Sequence, residues 1–512
     1  MKKLMILMVL FLATAFVGCD FLTTVTNDSD STTNTSSSTE TTIEEITTID
    51  NDYITQSPNT NDVIYDDLFN DANYKRITIY FSESDLIDLI NSMNEYHDQF
   101  GHYRDNTTIP TDVVYEDGKG NVMVMNEVGF RTKGNSYSRI PPGYVEAGEI
   151  IDYWQGSFQL EFNNTFEYIE NSTQYDYLQS REFFDLEQLN FKRIRNDDYA
   201  VVTESVAYDM FREIGVNTSN TSYCVIYFNV DGEIVPYGLF LVQEVIDDVF
   251  VEMTYGDNPD GSIGDLFKCT WQMFGPATFS ANIHEHALGI SDWTKGYRKT
   301  YALKTNKDNP NYSGFWNFIS LVNGINSNSY FENISTSLDM DSFAKALAMH
   351  FLVGSSDDLR SNANNYYMYF NDGNAYYIPF DFDNSLGYGW NAFDDYGIYL
   401  DIDTVTVANT YFSARSNVLV YYLLQEEEFL DMYLHYLDMY TKEGTVFTET
   451  YVLAEYDLIE SLYRYEIYNT PDCLGLTWFN FEARPEDSML ISEYINQKTT
   501  EVRRQLSDLG YN

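Results

Sequence analysis

The side chains best suited to chemistry lie between residues 357 and 387, where acids and amides flank an aromatic-rich stretch. Asp381 and Asp383 are two residues apart, so on a strand both carboxylates point to one face and repel each other. A hard cation such as Mg²⁺ between them would relieve the repulsion and keep water or phosphate oxygens in its remaining positions. The alternative is a solvated turn whose acids only cap the loop and helix that follow.

A predicted β-hairpin positions these groups. Tyr366 to Phe370 and Ala375 to Phe380 are aromatic-rich runs, and residues 371–374 join them through a central Asp-Gly that suits a type I′ turn. If the two ends of this turn pair, the loop before the first strand opens beside the end of the second strand. Asp358, in that loop, could then reach Asp381.

Two basic groups stand out in an acidic chain. Residues 129–136 read Gly-Phe-Arg-Thr-Lys-Gly-Asn-Ser and place Arg131 and Lys133 beside a flexible turn, which would offer positive charge and backbone N–H groups to phosphate oxygens. In the second group, Lys192 lies on the opposite face of a predicted strand from the two arginines that follow. Each group could instead be an ordinary strand end whose cations pair with the abundant acids.

The net charge of −50 argues against nucleic acid and anionic membrane surfaces as partners, because both would be repelled. The N-terminus nevertheless has the layout of a secretory signal, with an apolar run from Leu4 to Val17 followed by Gly18 and Cys19. A small residue before Cys resembles a bacterial lipobox. By that resemblance, residues 1–19 are a lipoprotein signal peptide and Cys19 carries the lipid that anchors an exported protein at the bacterial cell surface. An uncleaved N-terminal helix is the alternative, although it is short for a membrane span.

The remaining chain divides into a tether and one folded domain. Residues 20–62 are rich in Ser, Thr, Asn and Asp and predict a disordered tether, since they cannot bury enough apolar surface. Residues 63–512 predict an α+β domain that is mainly β-rich to about residue 340 and then holds the acidic loop and a helical part. Strands are predicted at 76–81, 122–133, 157–162, 187–195, 222–229 and 234–245, and helices at 83–93, 203–214, 341–353 and beyond 417.

In order along the chain, eight segments resemble the CotH kinase family of atypical kinases, which are similar to spore coat protein H. The segments are VGFRTKGNSYSR, SFQLEF, LNFKRIRND, ESVAYDMFREIG, YGLFLVQEVIDDVF, LFK, DDLRSNANNYYMYF and IPFDFDNSLG. The resemblance implies a kinase-like fold, with a mixed β-sheet region containing hairpins and a helical C-terminal lobe. It also implies binding of ATP with Mg²⁺ or Mn²⁺ and phosphorylation of Ser or Thr hydroxyls on coat or surface proteins.

Carried over by position, the resemblance gives Asp358 the role of the catalytic acid and Asn364 or Asn365 that of the amide that follows it. Asp381 would bind the metal, with Asp383 as the second acid of the same segment. These are the positioning and charge-neutralising groups that phosphoryl transfer requires.

The nucleotide-binding lysine is where this chain departs from the family. Many relatives carry Lys in the strand where this chain has Gln159. The lysine would then be Lys133, Lys192 or Lys268, or be absent, and Glu244 would either orient it or form a structural ion pair. The alternative function is therefore a non-catalytic kinase-like surface module that binds a glycan or a partner protein.

Overall fold

The computed structural model describes residues 64–135, 138–195, 197–325, 329–388, 397–402, 417–475, 479–486 and 488–511. The predicted signal peptide, Cys19, the predicted tether and Ser136 lie outside the described residues. None of the helices among the described residues is long and apolar enough to cross a membrane.

Strands and helices are interspersed up to residue 379, and every helix or strand that the structure describes beyond it is a helix. The strands are β1 Lys75–Phe81, β2 Ile109–Asp117, β3 Val122–Thr132, β4 Gly143–Glu146, β5 Glu149–Tyr153, β6 Phe158–Glu161, β7 Gln188–Arg193, β8 Thr221–Val230, β9 Glu233–Glu244, β10 Asp265–Cys269, β11 Leu288–Gly289, β12 Tyr301–Leu303, β13 Tyr366–Asn371 and β14 Asn374–Pro379. The helices are α1 Tyr65–Leu68, α2 Glu83–Phe100, α3 Thr173–Gln179, α4 Thr203–Glu213, α5 Asp248–Tyr255, α6 Ser313–Val322, α7 Tyr330–Ser335, α8 Met340–Val353, α9 Val418–Leu423, α10 Glu427–Tyr440, α11 Glu449–Asn469 and α12 Ile491–Asp508. The predicted α+β class is confirmed.

Seven strands form a closed barrel in the order β1-β2-β3-β6-β7-β9-β8. The ring closes through a parallel pairing of β1 with β8, whereas the other neighbours are antiparallel. Its interior is aromatic: Phe81, Phe130 and Phe228 meet edge to face with ring centroids 4.8–5.9 Å apart, a favourable geometry for aromatic rings. Closure fixes β3 and β7, the strands of the two basic groups, on either side of β6.

A second sheet of five strands, β11-β12-β10-β13-β14, carries the predicted hairpin. The predicted register is confirmed, since Asn371 pairs with Asn374 and Tyr366 with Pro379. Asp372 and Gly373 have φ angles of 47° and 82°, as a type I′ turn requires at both central positions. The turn sequence therefore sets where the end of β14 lies.

Helix α8 delivers the chain into the acidic loop. Asp339 caps its first turn by accepting from the N–H groups of residues 341 and 342, and Gly354 ends it in the left-handed conformation that favours glycine. Most of its apolar side chains are buried among α4, α10 and the five-stranded sheet. Because α8 is packed on several sides, the loop that follows it has a fixed starting point.

Candidate active site

Lys192 lies at the centre of the candidate site. Its Nζ donates to a carboxylate oxygen of Asp381 and to Oε1 of Glu204 at 2.7 Å, and it lies 3.3 Å from Oδ2 of Asp383. Glu204, Asp381 and Asp383 each place a carboxylate oxygen within 4.8 Å of the others. The structure thus brings the predicted acid pair together around a positive charge, which the ammonium group supplies.

Three elements hold these charges in place. Lys192 is near the end of β7, and Glu204 is in the first turn of α4. Asp381 comes just after β14 and has a φ of 67°, a left-handed conformation that is uncommon for residues other than glycine. The hydroxyl of Tyr208, one turn along α4 from Glu204, accepts from the backbone N–H of Asp381 at 2.8 Å. This bond fixes the left-handed turn and ties the end of β14 to α4.

The charges of the three acids and Lys192 are strongly coupled. Burial alone would lower the pKa of Lys192, but Asp381, Asp383 and Glu204 raise it well above its usual value. Burial likewise opposes ionisation of Asp381, yet the charge of Lys192 and its hydrogen bond hold the pKa of Asp381 below its usual range. Burial raises the pKa of Glu204, although Lys192 works against this. Lys192 and Asp381 are therefore both charged at neutral pH.

Two more lysines act on Asp381. The ammonium of Lys268, on β10, lies 4.3 Å from the ring centroid of Phe380, and burial lowers the pKa of Lys268 to about 8. Lys133 directly follows β3, and burial followed by the charges of Lys268 and Lys192 lowers its pKa well below the usual value. Neither ammonium forms a salt bridge within the described residues. All three candidate lysines therefore converge on one acid.

Asp357 is the acid of the loop that faces this site. Its carboxylate accepts from the amides of Asn362, Asn364 and Asn365 at 2.7, 2.8 and 3.1 Å. Burial raises the pKa of Asp357 to about 7; the Asn362 and Asn364 amides oppose the rise, and the negative charges of Asp381 and Asp383 add to it. A carboxylate that titrates near neutrality is suited to general acid–base work.

The predicted contact between Asp358 and Asp381 is not found among the described residues, because the carboxylate of Asp358 is held by groups of its own loop and of α8. Oδ2 of Asp358 lies 2.9 Å from Nδ1 of His350, and the two side chains are 2 % and 0 % exposed. Oδ1 of Asp358 accepts from the backbone N–H of Ser361 at 2.7 Å, and Nε2 of His350 lies 2.7 Å from the hydroxyl of Tyr377. Asp358 is thus part of a buried network that attaches the loop to α8.

Asn364 and Asn365 both contact Asp357, but their amide oxygens differ. The oxygen of Asn364 accepts from the backbone N–H of Trp271 at 2.6 Å, which fixes that side chain against β10. Asn365 uses its NH₂ group twice, on the carbonyl and the carboxylate of Asp357. Within the described residues, the amide oxygen of Asn365 accepts no hydrogen bond, so it is the better metal ligand of the two.

Glu244 and Arg131 have partners that the sequence did not identify. The carboxylate of Glu244 accepts from the backbone N–H and the side chain of Asn220 at 2.9 and 3.0 Å, so among the described residues it orients no lysine. It lines a separate cavity of 340 Å³. Arg131 donates to Glu161 and to Gln159.

A family model described as CotH kinase protein matches residues 130–501, which is more than half of the chain. The chain belongs to the CotH kinase family. The predicted resemblance is therefore confirmed at the level of the family. Comparison with curated proteins gives no significant match.

Membership of the CotH kinase family allows Lys192 and the three acids around it to be compared with the active sites of protein kinases. In protein kinases, a strand lysine that contacts the phosphates is held by a helix glutamate, and a nearby aspartate binds the metal. In this CotH-family chain, Lys192 on β7, Glu204 on α4 and Asp381 after β14 have the same arrangement. Strand β6 of this chain has Gln159 and no lysine, but Lys192, a lysine with suitable acidic partners, lies on the neighbouring strand β7.

Sequence reasoning missed Glu204 and Asp357. Glu204 opens ESVAYDMFREIG, a segment that was recognised as a helix, and it precedes the helix's apolar stripe. Glu204 lies eleven residues after Arg193, the last residue of β7. This spacing did not predict a contact with Lys192, because the loop between β7 and α4 sets the angle between the strand and the helix. For Asp357, the sequence signal was that two aspartates are adjacent. Two adjacent side chains point in different directions, so only one of them can face the site.

Proposed function

We propose that this protein is an exported kinase that uses Mg²⁺ or Mn²⁺ with ATP to phosphorylate Ser or Thr hydroxyls on neighbouring coat or surface proteins. The observation that carries this proposal is the contact of Lys192 with both Glu204 and Asp381. Protein kinases position the phosphates of ATP with a strand lysine that is held by a helix glutamate and lies near a metal-binding aspartate.

The donor set fits a hard divalent cation. Asp381, Asp383 and the free amide oxygen of Asn365 are oxygen ligands, the type that Mg²⁺ prefers. When bound, the metal supplies positive charge that neutralises phosphate oxygens. Lys192 would contact the phosphates, with Lys133 and Lys268 as further cations on the same side. The contribution of Glu204 is to hold Lys192 in place through its 2.7 Å contact.

Asp357 is the group that we propose as the general base. Its pKa of about 7 lets it accept a proton from the acceptor hydroxyl near neutral pH. Three asparagine amides hold the carboxylate, so its direction is fixed before the substrate binds. The role that the resemblance gave to Asp358 therefore passes to its neighbour.

The location of the protein is part of the proposal. The Leu4 to Val17 run, the Gly18-Cys19 pair and the polar residues 20–62 support a lipid-anchored protein on a flexible tether. The protein substrate would then be one that shares the same cell surface. Labelling cells with a radioactive fatty acid and comparing Cys19→Ser with the unchanged chain tests the anchor, since only the unchanged chain should take up label.

The kinase proposal is tested with purified protein, radiolabelled ATP and Mg²⁺ or Mn²⁺, with a Ser-rich protein as acceptor. We expect metal-dependent label on acceptor or kinase, loss of label in Asp381→Ala, and normal labelling in Asp372→Asn, which changes an exposed acid in the turn of the same hairpin. No label from the unchanged protein, together with unchanged ATP binding in Asp381→Ala, would overturn the proposal.

One observation favours the alternative of a non-catalytic surface module. Tyr144 and Trp154 stack at the end of the β4–β5 hairpin with centroids 5.9 Å apart and an interplanar angle of 15°, and Tyr144 is 44 % exposed. An exposed ring stacked on a half-buried one suits a sugar face. Thermal unfolding separates the two functions, because a ligand that binds only the native state raises the unfolding temperature. Stabilisation by an oligosaccharide and not by Mg-ATP would select the alternative.

A further inference from the structure

A second group of acids lies apart from the Lys192 site. Asp71 lies in the loop between α1 and β1, Asp209 lies in α4, and Glu455 lies in α11. Each places a carboxylate oxygen within 4.8 Å of the others. These three residues, which we call the Asp71 cluster, have no part in the chemistry proposed above.

Two oxygens of the Asp71 cluster have no hydrogen-bond donor. Oδ1 of Asp71 and Oε1 of Glu455 are buried, and neither accepts a hydrogen bond from any residue that the structure describes. Asp209, by contrast, forms an ion pair with Arg212. A buried carboxylate oxygen without a donor is costly, so such oxygens in proteins are normally compensated by a donor or a cation. The unpartnered oxygens are thus a second sign, beside the grouping of the acids, that a cation binds here.

Lys75 is fully buried and holds the loop that carries Asp71. Its Nζ donates to the backbone carbonyls of Asn70 and Asn73 at 2.8 and 3.1 Å. It forms no salt bridge with an acid in the described part of the chain. Because the two carbonyls lie on either side of Asp71 in the loop, Lys75 fixes the position of this acid and leaves its carboxylate without a direct cationic partner.

Burial and mutual repulsion disfavour the charged form of these acids. For Asp71, burial and then the charge of Asp209 raise the pKa, and each of the two nearby cations acts less strongly in the opposite direction. For Glu455, burial and then the charges of Asp71 and Asp209 raise the pKa, and Arg212 and Lys75 oppose the rise more weakly. The cations already present therefore leave both carboxylates with raised pKa values.

The spacing of the Asp71 cluster fits one divalent cation. Ca²⁺ binds carboxylate oxygens at about 2.3–2.6 Å, so two oxygens on one ion are at most about 5 Å apart. The three oxygens of the cluster are within this limit. Mg²⁺ takes the same type of ligand at a shorter distance, so the donor set suits a hard divalent cation of either kind.

We propose that Asp71, Asp209 and Glu455 bind a hard divalent cation such as Ca²⁺. The ion joins the α1–β1 loop, α4 and α11, which are distant in sequence. Asp209 directly follows Tyr208, whose hydroxyl accepts from the backbone N–H of Asp381. The ion therefore fixes the helix that positions part of the candidate active site. This inference is independent of the proposed kinase function.

The test measures the unfolding temperature and the affinity for CaCl₂ or MgCl₂ in the absence of nucleotide. Measurements are made at pH 8 and constant ionic strength, because metal binding requires ionised carboxylates. The variants are Asp71→Asn and Glu455→Gln in the cluster, Asp381→Ala in the candidate active site, and Asp457→Asn as the matched control. Asp457 is an exposed acid two residues from Glu455 in α11. Since the fold disfavours the charges of Asp71 and Glu455, both cluster variants should remain folded without metal.

We expect the ion to raise the unfolding temperature of the unchanged protein, of Asp457→Asn and of Asp381→Ala. Calorimetry should show binding at least about tenfold weaker in Asp71→Asn and Glu455→Gln, because each loses one charged ligand. The salt that gives the larger shift identifies the preferred ion. The inference would be overturned if neither salt stabilises the unchanged protein, or if the stabilisation survives both cluster substitutions. Stabilisation that is lost only in Asp381→Ala would place the ion at the candidate active site and would also overturn it.

Discussion

Exchanging the two adjacent acids of the loop one at a time tests whether Asp357 or Asp358 is the catalytic group. In Asp357→Asn the loop loses a carboxylate whose pKa is raised to about 7, mainly by burial. A raised pKa means that the fold disfavours the charged form, so this variant should be at least as stable as the unchanged protein at pH 8. Loss of a general base typically costs 10²–10⁴-fold in rate, so we expect kcat to fall by about 100-fold or more.

Asp358→Asn should give the opposite pattern. The carboxylate of Asp358 is 2.9 Å from the ring of His350 in a site that water scarcely reaches. Leaving a buried polar group without its partner costs about 1–3 kcal/mol. Since domains are typically stable by about 5–15 kcal/mol, the variant should remain folded at 25 °C but unfold at lower urea concentration. Its kcat should stay within about tenfold of the unchanged protein.

Urea unfolding and initial rates of phosphate transfer at pH 8, measured on the same preparations, give both quantities. Mg-ATP should still raise the unfolding temperature of Asp357→Asn, because this acid is not needed to bind nucleotide. The reasoning is refuted if Asp358→Asn loses activity while keeping full stability, or if Asp357→Asn keeps its activity.

Three further predictions concern Lys192, the buried acids Asp71 and Glu455, and the turn of the β13–β14 hairpin. Lys192→Met should abolish the rise in unfolding temperature that Mg-ATP produces, and an unchanged rise would remove Lys192 from the nucleotide site. Burial and neighbouring acids raise the pKa of Asp71 to about 7 and that of Glu455 to about 8. Because the folded state holds these protons more tightly than the unfolded state, their contribution to stability is present at acidic pH and is lost as the pH rises through 7 and 8. The free energy of unfolding in urea should therefore fall from pH 5 to pH 8, and Asp71→Asn should flatten this profile; equal slopes would contradict it. Gly373→Ala places a side chain at a φ of 82°, where it meets no atom within 4 Å, so it should cost about 1 kcal/mol of backbone strain in urea unfolding without changing activity. A loss of activity would show that the turn does more than set the register.

Local rules predicted those parts of the fold that depend on neighbouring residues. Asp372 and Gly373 specify a type I′ turn by their backbone preferences alone, so the register of β13 and β14 followed directly. The α4 and α8 helices were predicted from apolar spacing, and Gly215 indicated the end of α4. Closure of the barrel was not predictable in this way, because the parallel pairing of β1 with β8 joins strands that are distant in sequence.

The same distinction holds for the candidate site: contacts set by neighbouring residues could be predicted, and contacts set by packing between distant elements could not. Asp381 and Asp383 are close because they are two residues apart, which the sequence shows, but they lie in the turn after β14 and not on one face of a strand as predicted, since β14 ends at Pro379 and Asp381 is left-handed. The partner of Lys192 depends instead on the angle at which α4 packs against the barrel, so the sequence indicated Glu244 and not Glu204. The choice between Asp357 and Asp358 depends on His350, a buried residue on another element whose position no local pattern encodes.

The distribution of charge shows why composition alone misjudges what this protein can bind. A net charge of −50 repels anionic partners at long range. Yet the fold places Lys133, Lys192 and Lys268, from three separate strands or strand ends, where their charges all act on Asp381. Because screening in water limits the reach of surface charge to about 10 Å, a ligand in contact with these lysines responds to them more than to charges on distant parts of the surface. The prediction against nucleic acid and anionic membrane surfaces therefore concerns the exterior of the protein, and the three lysines are where we expect phosphate to bind.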